Sequence, residues 1–354
     1  MRTRRITWTM TVILAVALLG TTLVQANEET PETGATKFLR IKAVGDTVPG
    51  TNYPTNRVPA NPRATLFAGV EPYLKGADIT FANFESTLTN ISNTYKDVSR
   101  KNTYAFRTPV SMGKILRDVG FDVLGLANNH SGDFTPAGYI DTAKNVRAAG
   151  MTAVANDIEY VTRNGQKIAF IAFSYLGAHN SIHNIPRAKE LVAKAVAGAD
   201  IVIVTFHGGA EGGKYTHVPR VNEMFLGESR GNLPAFSHAV IDAGADLVIG
   251  HGPHVPRAME LYRDRLIAYS LGNFIGYGAL SARGIAGYSL ILDVTLNRDG
   301  SFHSGEIIPL INSTSAIPGY DSQKRSIDLI RRLSVEDFPS SPLAISPDGK
   351  LSRK

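Results

Sequence analysis

The sequence predicts an α/β (α+β) fold: a four-layer sandwich of two mixed β-sheets flanked by helices. Three observations predict it. Over the first two-thirds of the chain, apolar runs of strand length alternate with segments of helical period, as parallel β–α units do. After Pro256 the period changes to runs that alternate or stay apolar, separated by turn signals at Arg263-Asp264 and Asn297-Arg298-Asp299-Gly300. That is the pattern of antiparallel hairpins. Finally, three apolar runs end in histidine: one enters Asn128-Asn129-His130, one enters His207-Gly208-Gly209, and one enters Gly250-His251-Gly252-Pro253-His254.

The elements follow in order. A strand is predicted over 38–44, ending at Gly45-Asp46, and 65–74 has helical spacing. A second strand over 77–84 ends at Glu85 in Asn83-Phe84-Glu85-Ser86. Residues 90–102 are polar and aperiodic, hence a surface loop. A helix over 109–119 is stopped by Gly120 and feeds a strand over 121–127. The helix over 135–149 has its own punctuation: Thr135 can cap it, Pro136 suits the first turn, and Gly150 stops it. Strands over 151–155 and 168–173 and a helix over 185–197 continue the alternation. The strand over 200–206 is followed by a helix over 236–243, which Gly244 stops before the strand over 246–249. Runs over 258–262, 266–271, 288–296 and 302–310 close a domain spanning 38–312. The segment 313–354 reads as a Ser/Pro-rich polar tail with a helical patch over 326–333.

The amino end reads as a signal peptide over 1–26. Arg2, Arg4 and Arg5 precede an apolar core over 11–20, and Val24-Gln25-Ala26 offers a cleavage site. The core is shorter than the roughly 20 residues of a membrane span. The expectation is an exported protein, periplasmic or at the cell surface; retention of the leader would anchor it to the membrane. Residues 27–37 read as a linker. The chain has no cysteine, which excludes disulfides, thiolate metal sites, cysteine nucleophiles and lipid attachment through cysteine. Three of the positive charges behind the formal +6 lie in the leader, so the excess on the rest is mild and argues against nucleic acid as a partner.

The polar residues at predicted strand ends are Asp46, Glu85, Asn129, His130, His207, His251 and His254. Imidazole nitrogen and carboxylate oxygen suit Mn, Zn or Fe, one ion or two, and a shared carboxylate suits a pair of ions that clamps a phosphate. Strand tips are also where open α/β sheets place their chemistry. Singly, each residue has a plainer role available: Asp46 in a turn, Asn129 as a helix cap, His207 as a satisfied histidine under a Gly-rich loop. As a set on successive strand tips, they point to a metal centre.

These blocks carry a resemblance. Gly45-Asp46, Asn83-Phe84-Glu85, Leu126-Ala127-Asn128-Asn129-His130, His207-Gly208-Gly209-Ala210-Glu211, Gly250-His251-Gly252-Pro253-His254 and Tyr269-Ser270-Leu271-Gly272-Asn273-Phe274 match, in order, those of CapA-type capsule synthesis proteins. That family is linked to poly-γ-glutamate production and belongs to the calcineurin-like metallophosphoesterase superfamily. The resemblance covers about 38–312 and implies a metallo-dependent phosphatase-like fold. It implies Glu85 as bridging carboxylate, Asp46 and His254 at one metal, and Asn129, His207 and His251 at the other. It makes His130 the non-ligand histidine that protonates a leaving group or steadies a phosphate. Two departures stand out: Thr47-Val48 follows Asp46 where the wider superfamily has Asp-x-His, and Glu85 replaces an aspartate.

Other residues are weaker candidates for substrate contact. Arg107 could form a fork on phosphate or carboxylate, Glu211 and His217 flank Gly212-Gly213, and Asn273 follows Gly272 at a strand end. Asp133 reads as a helix-start residue. His179, His183, His238 and His303 have no supporting pattern and read as core or solvated residues. Three functions fit the whole: a metal-dependent hydrolase of phosphoesterase type in capsule or surface-polymer production, a non-catalytic polymer-binding or assembly factor using the same cleft, and a periplasmic phosphoesterase or nucleotidase unrelated to capsule. The expected partners are an anionic polymer or phosphoester substrate and a membrane polymer-synthesis complex.

Overall fold

In the strand Ile201–His207, Ile201 and Ile203 enter one hydrophobic cluster, while Val202, Val204 and Phe206 enter another. The strand Ile79–Phe84 does the same: Ile79 and Phe81 join the first cluster, and Ala82 and Phe84 a third. Because side chains alternate across a strand, each sheet has two apolar faces, and both must be covered. A computed structural model of the protein describes residues 38–354 and shows how. The leader and linker expected over 1–37 lie outside the described residues.

The result is a mixed α/β fold. One sheet has ten strands. Across it run Leu343–Ile345, Lys350–Arg353, Phe302–Asn312, Tyr288–Asn297, Phe38–Val48, Ile79–Phe84, Val123–Gly125 and Thr152–Val154. Asn273–Gly276 pairs beside the end of Phe38–Val48, and Pro318–Tyr320 beside Phe302–Asn312. The other large sheet has six strands: Met259–Tyr262, Arg265–Ala268, Leu247–His251, Ile201–His207, Gln166–Ser174 and Glu159–Arg163. Both sheets mix parallel and antiparallel pairs. The first cluster draws on both sheets and lies between them. Helices Ile185–Val196 and Leu233–Asp242 cover the outer face of the six-stranded sheet; Met112–Val119 and Thr135–Ala148 cover that of the ten-stranded sheet.

The structure corrects several expectations. Two small sheets, Glu223–Phe225 with Glu228–Gly231 and Thr87–Leu88 with Arg107–Thr108, make four sheets among the described residues where two were expected. Their strands of two to four residues are too short to show a period. Residues 313–354 are no tail. Helix Arg325–Asp337 buries Ile327, Ile330 and Leu333, and Lys350–Arg353 pairs with the Phe302–Asn312 strand. The domain therefore extends to Lys354 in one compact unit. The helix expected over 65–74 is broken into a π-turn, Arg63–Phe67, and a short helix, Glu71–Leu74. Thr135 does not cap its helix; it lies inside it with φ +67° and no side-chain cap is made.

Candidate metal centre

The parallel strands bring their carboxyl ends to one edge of the molecule. Asp46 lies in register with Asn83 on one side and Asn273 on the other. In the second sheet, His251 lies in register with His207. Two glycines make these approaches possible. A Cβ at Gly45 would sit 1.8 Å from Gly272 O, and one at Gly250 would sit 2.3 Å from Tyr269 O. His254 follows in a left-handed backbone conformation, φ +57°, which turns the chain back toward the Phe38–Val48 strand.

The ligand atoms of Asp46, Glu85 and His254 converge within 4.8 Å of one another, a group that could hold a metal ion. His254 Nδ1 donates to Asn273 Oδ1 at 2.9 Å and lies 3.0 Å from Asp46 Oδ2. Its Nε2 is 3.6 Å from Glu85 Oε1. Two more imidazoles stand close: His207 Nε2 is 3.8 Å from Glu85 Oε1, and His251 Nδ1 is 3.9 Å from Asp46 Oδ1. Asp46 is steadied by Asn83 Nδ2, which donates to Asp46 Oδ1 at 2.7 Å and lies 3.4 Å from His207 Nδ1. Asn128 in turn donates to Asn83 Oδ1 and Phe84 O.

Burial and the missing hydrogen bonds test whether these residues fit a metal. Asp46, Glu85 and His207 are 0% exposed and His251 is 1% exposed. Both oxygens of Glu85, Nε2 of His207, both ring nitrogens of His251 and Oδ1 of Asn129 are buried without a hydrogen-bond partner. Native proteins rarely leave buried polar atoms unpaired, because each costs about 1–3 kcal/mol. So many orphaned lone pairs, all on oxygen or imidazole nitrogen, fit a cation. Burial pushes the His207 imidazole well below its ordinary value and His251 down to about 4, which keeps both neutral, the state that ligates metal. Burial pushes the Glu85 carboxyl well up. It would raise Asp46 too, but the adjacent His254 imidazolium holds that carboxyl below the usual range.

His130 stands apart from the ligand cluster. Its Nδ1 is 2.9 Å from Asp133 Oδ2, and its ring stacks on Phe106 at 4.3 Å between centroids. Burial pushes the imidazole below its ordinary value, although Asp133 pulls the other way. Asp133 is fully buried, accepts from Phe106 N at 2.6 Å, and forms an ion pair with Lys96. Asp133 is thus more than a helix-start residue, and Asn83, Asn128 and Lys96 were not singled out from sequence at all. The signal for Asp133 was its place three residues after His130, one turn away.

The remaining candidates divide. Asn273 joins the cluster through His254, with Nδ2 on Ser281 O. Asn129 places its unpartnered Oδ1 in the interior, while its backbone oxygen accepts from Lys96. Glu211 is held by Arg230 at 2.6 Å, and its charge still reaches Glu85 and His254. Arg107 is not a free fork: it donates to Asn52 Oδ1 and Ile91 O and lies over the Tyr53 and Phe134 rings. His217 is engaged elsewhere: its Nδ1 is 2.7 Å from Asp337 of the Arg325–Asp337 helix, a long-range contact no spacing reveals. Among the described residues, no helix is long and apolar enough to cross a membrane.

Comparison with known proteins finds relatives over most of the chain. The capsule biosynthesis protein CapA of Bacillus anthracis is 28% identical over 371 aligned residues, covering 97% of this chain and 84% of that protein. The PGA biosynthesis protein CapA of Bacillus subtilis (strain 168) is 31% identical over 230 residues, 60% of this chain and 56% of that relative. Among solved structures, a 5'-nucleotidase precursor from Thermus thermophilus aligns with 83% of this chain and 58% of its own, at 10% identity and a TM-score of 0.40, too low to establish a common fold. The family profile of the bacterial capsule synthesis protein PGA_cap matches residues 40–277, which hold every residue of the candidate centre. This chain belongs to the PGA_cap family of bacterial capsule synthesis proteins.

Proposed function

We propose that this protein is an exported factor of poly-γ-glutamate or related surface-polymer production, with a divalent-metal centre of phosphoesterase type in the four-layer frame of the metallo-dependent phosphatases. One observation carries the reading: the ligand atoms of buried Asp46 and Glu85 converge with those of partly buried His254, and Asp46, Glu85, His207 and His251 keep atoms there that no protein group satisfies. Asp46, Glu85 and His254 would hold one ion; Asn129, His207 and His251 would hold a second, with Glu85 shared. Mn, Zn and Fe suit this donor set. A divalent ion there supplies Lewis acidity toward a phosphoryl or carbonyl oxygen.

The chain's own residues supply the rest. Asp133 fixes the His130 ring by accepting from Nδ1, which leaves the lone pair of Nε2 free to take up a proton and pass it to a departing oxygen or nitrogen. Phe106 packs against the ring and limits its rotation. The substrate is an anionic polymer or a phosphoester, met beside a membrane polymer-synthesis complex. A second reading, a polymer-binding or assembly factor without turnover, is favoured by Val48. This buried apolar residue stands where the wider superfamily carries a ligand histidine. Metal analysis of the purified protein, joined to a screen of phosphoesters and γ-glutamyl peptides, tests both. Metal with turnover supports the hydrolase, metal with binding alone supports the assembly factor, and turnover of simple nucleotides alone supports a phosphoesterase apart from capsule production.

A further inference from the structure

Beside His130 lies a cavity of about 200 Å³ whose walls include Thr51, Tyr53, Arg57, Arg100, Tyr104 and Phe106. Part of its wall lies next to elements of the candidate centre. Thr51 follows the Phe38–Val48 strand that carries Asp46. Phe106 stacks on His130. Gly278 and Ala279 close the far side just past the Asn273–Gly276 strand, whose Asn273 contacts His254. The cavity therefore adjoins His130 through the Phe106 ring that forms part of its wall.

Its chemistry is one-sided. Among the described residues, two arginines line it and no acidic residue does. Arg57 donates Nη1 to Gly278 O at 2.8 Å and has no carboxylate partner among the described residues. Arg100 pairs with Asp97, at 3.1 Å, and the two side chains are 79% and 54% exposed. An exposed pair of that kind is worth at most about 1 kcal/mol and yields readily to a better anion. The hydroxyls of Tyr53 and Tyr104 add polar groups, and the rings of Tyr53, Tyr104 and Phe106 add apolar wall. The volume is below the roughly 300–1,000 Å³ of a site that encloses a whole drug-sized ligand. It suits one small unit of something longer.

We infer that this cavity is an anion subsite that holds an oxyanion on a short apolar stem, one unit of the substrate whose neighbouring part lies at the metal centre. A carboxylate of a γ-linked glutamate chain and a phosphate group share that chemistry, and an arginine fork accepts either. The inference rests on the function proposed above and specifies where that substrate's charge is read.

The test is calorimetric titration of the metal-loaded full-length protein with γ-linked tetraglutamate and, separately, with inorganic phosphate. Arg57→Gln, Arg100→Gln and the double variant are compared with wild type, each checked for metal content and for its circular dichroism. Arg100→Gln alters an exposed side chain and so guards against a folding failure at Arg57. The expected result is tetraglutamate binding weakened about ten- to a hundred-fold in the double variant, with unchanged metal content. Weakening confined to phosphate also supports the subsite and names a phosphoryl group as its occupant. Wild-type affinity for both probes in the double variant overturns the subsite and leaves the metal reading intact. Metal-loaded wild type that binds neither probe overturns the subsite and the polymer reading together, whereas wild type that takes up no metal overturns the centre.

Discussion

Arg257 offers a sharp test of how the loops of the candidate centre are held together. It is 0% exposed, and its guanidinium makes a fork on Glu223: Nη1 to Oε1 and Nη2 to Oε2, both at 2.9 Å. Nη2 also donates to Ala210 O at 2.9 Å, and Ala210 N donates to Glu223 Oε2 at 3.0 Å. The pair thus ties the loop after His207 to the loop that follows His254. Glu223→Leu strands a cation in the interior, which costs about 3–5 kcal/mol, a large share of a typical 5–15 kcal/mol stability. With a urea slope of about 1–3 kcal/mol per molar, the unfolding midpoint should fall by roughly 1 M or more. Arg257→Leu strands the carboxylate and should cost a similar amount. The double variant removes both charges, so its cost should fall short of the sum by at least about 2 kcal/mol. Equilibrium urea unfolding followed by circular dichroism measures all three. Additivity within about 0.5 kcal/mol would refute the argument that the charges depend on each other.

Four further outcomes are expected. Purified protein should carry or take up Mn or Zn, and Asp46→Asn with His254→Ala should remove most of it by elemental mass spectrometry. Glu85→Ala should lose metal and any turnover, whereas His130→Ala should keep metal and lose turnover by about 10²- to 10⁴-fold; equal metal loss in both would make His130 a ligand. Gly250→Ala should cost about 1–3 kcal/mol and weaken metal uptake, because its Cβ would meet Tyr269 O at 2.3 Å and the Phe206 ring at 2.5 Å. Metal affinity should fall as pH falls from 8 to 6: burial raises the Glu85 pKa, so acid keeps that carboxyl protonated and an incoming ion must displace the proton. A chelator competition that shows no pH dependence would contradict this.

The strand tips were legible in the sequence because each combines a buried apolar run with an abrupt polar end. Ile201 to Phe206 are almost wholly buried, so the run is continuous, and His207 ends it. The close backbone approaches of Gly45 to Gly272 and of Gly250 to Tyr269 appear only in the structure, because their partners are distant in sequence or in another strand. What was not legible depends on partners distant in sequence. The Gly-rich neighbours of His217 suggest the cleft, yet Asp337 holds it. Arg107 has the sequence context of a free fork, but Asn52 and two aromatic rings engage it. The last elements escaped because a strand such as Lys350–Arg353 buries one residue of four, and pairing rather than periodicity defines it.

The ligand atoms that meet at the centre come from positions as far apart as 46 and 254, and from both large sheets. In a small zinc module the ligands are close along the chain, so the ion can nucleate folding. Here no local segment holds enough of them. The closure of very long loops and the docking of the two sheets must come first. An ion captured at the end of that sequence can stabilise little of the transition state. Its effect belongs to the unfolding rate: a metal-loaded chain should refold about as fast as a metal-free one and come apart far more slowly.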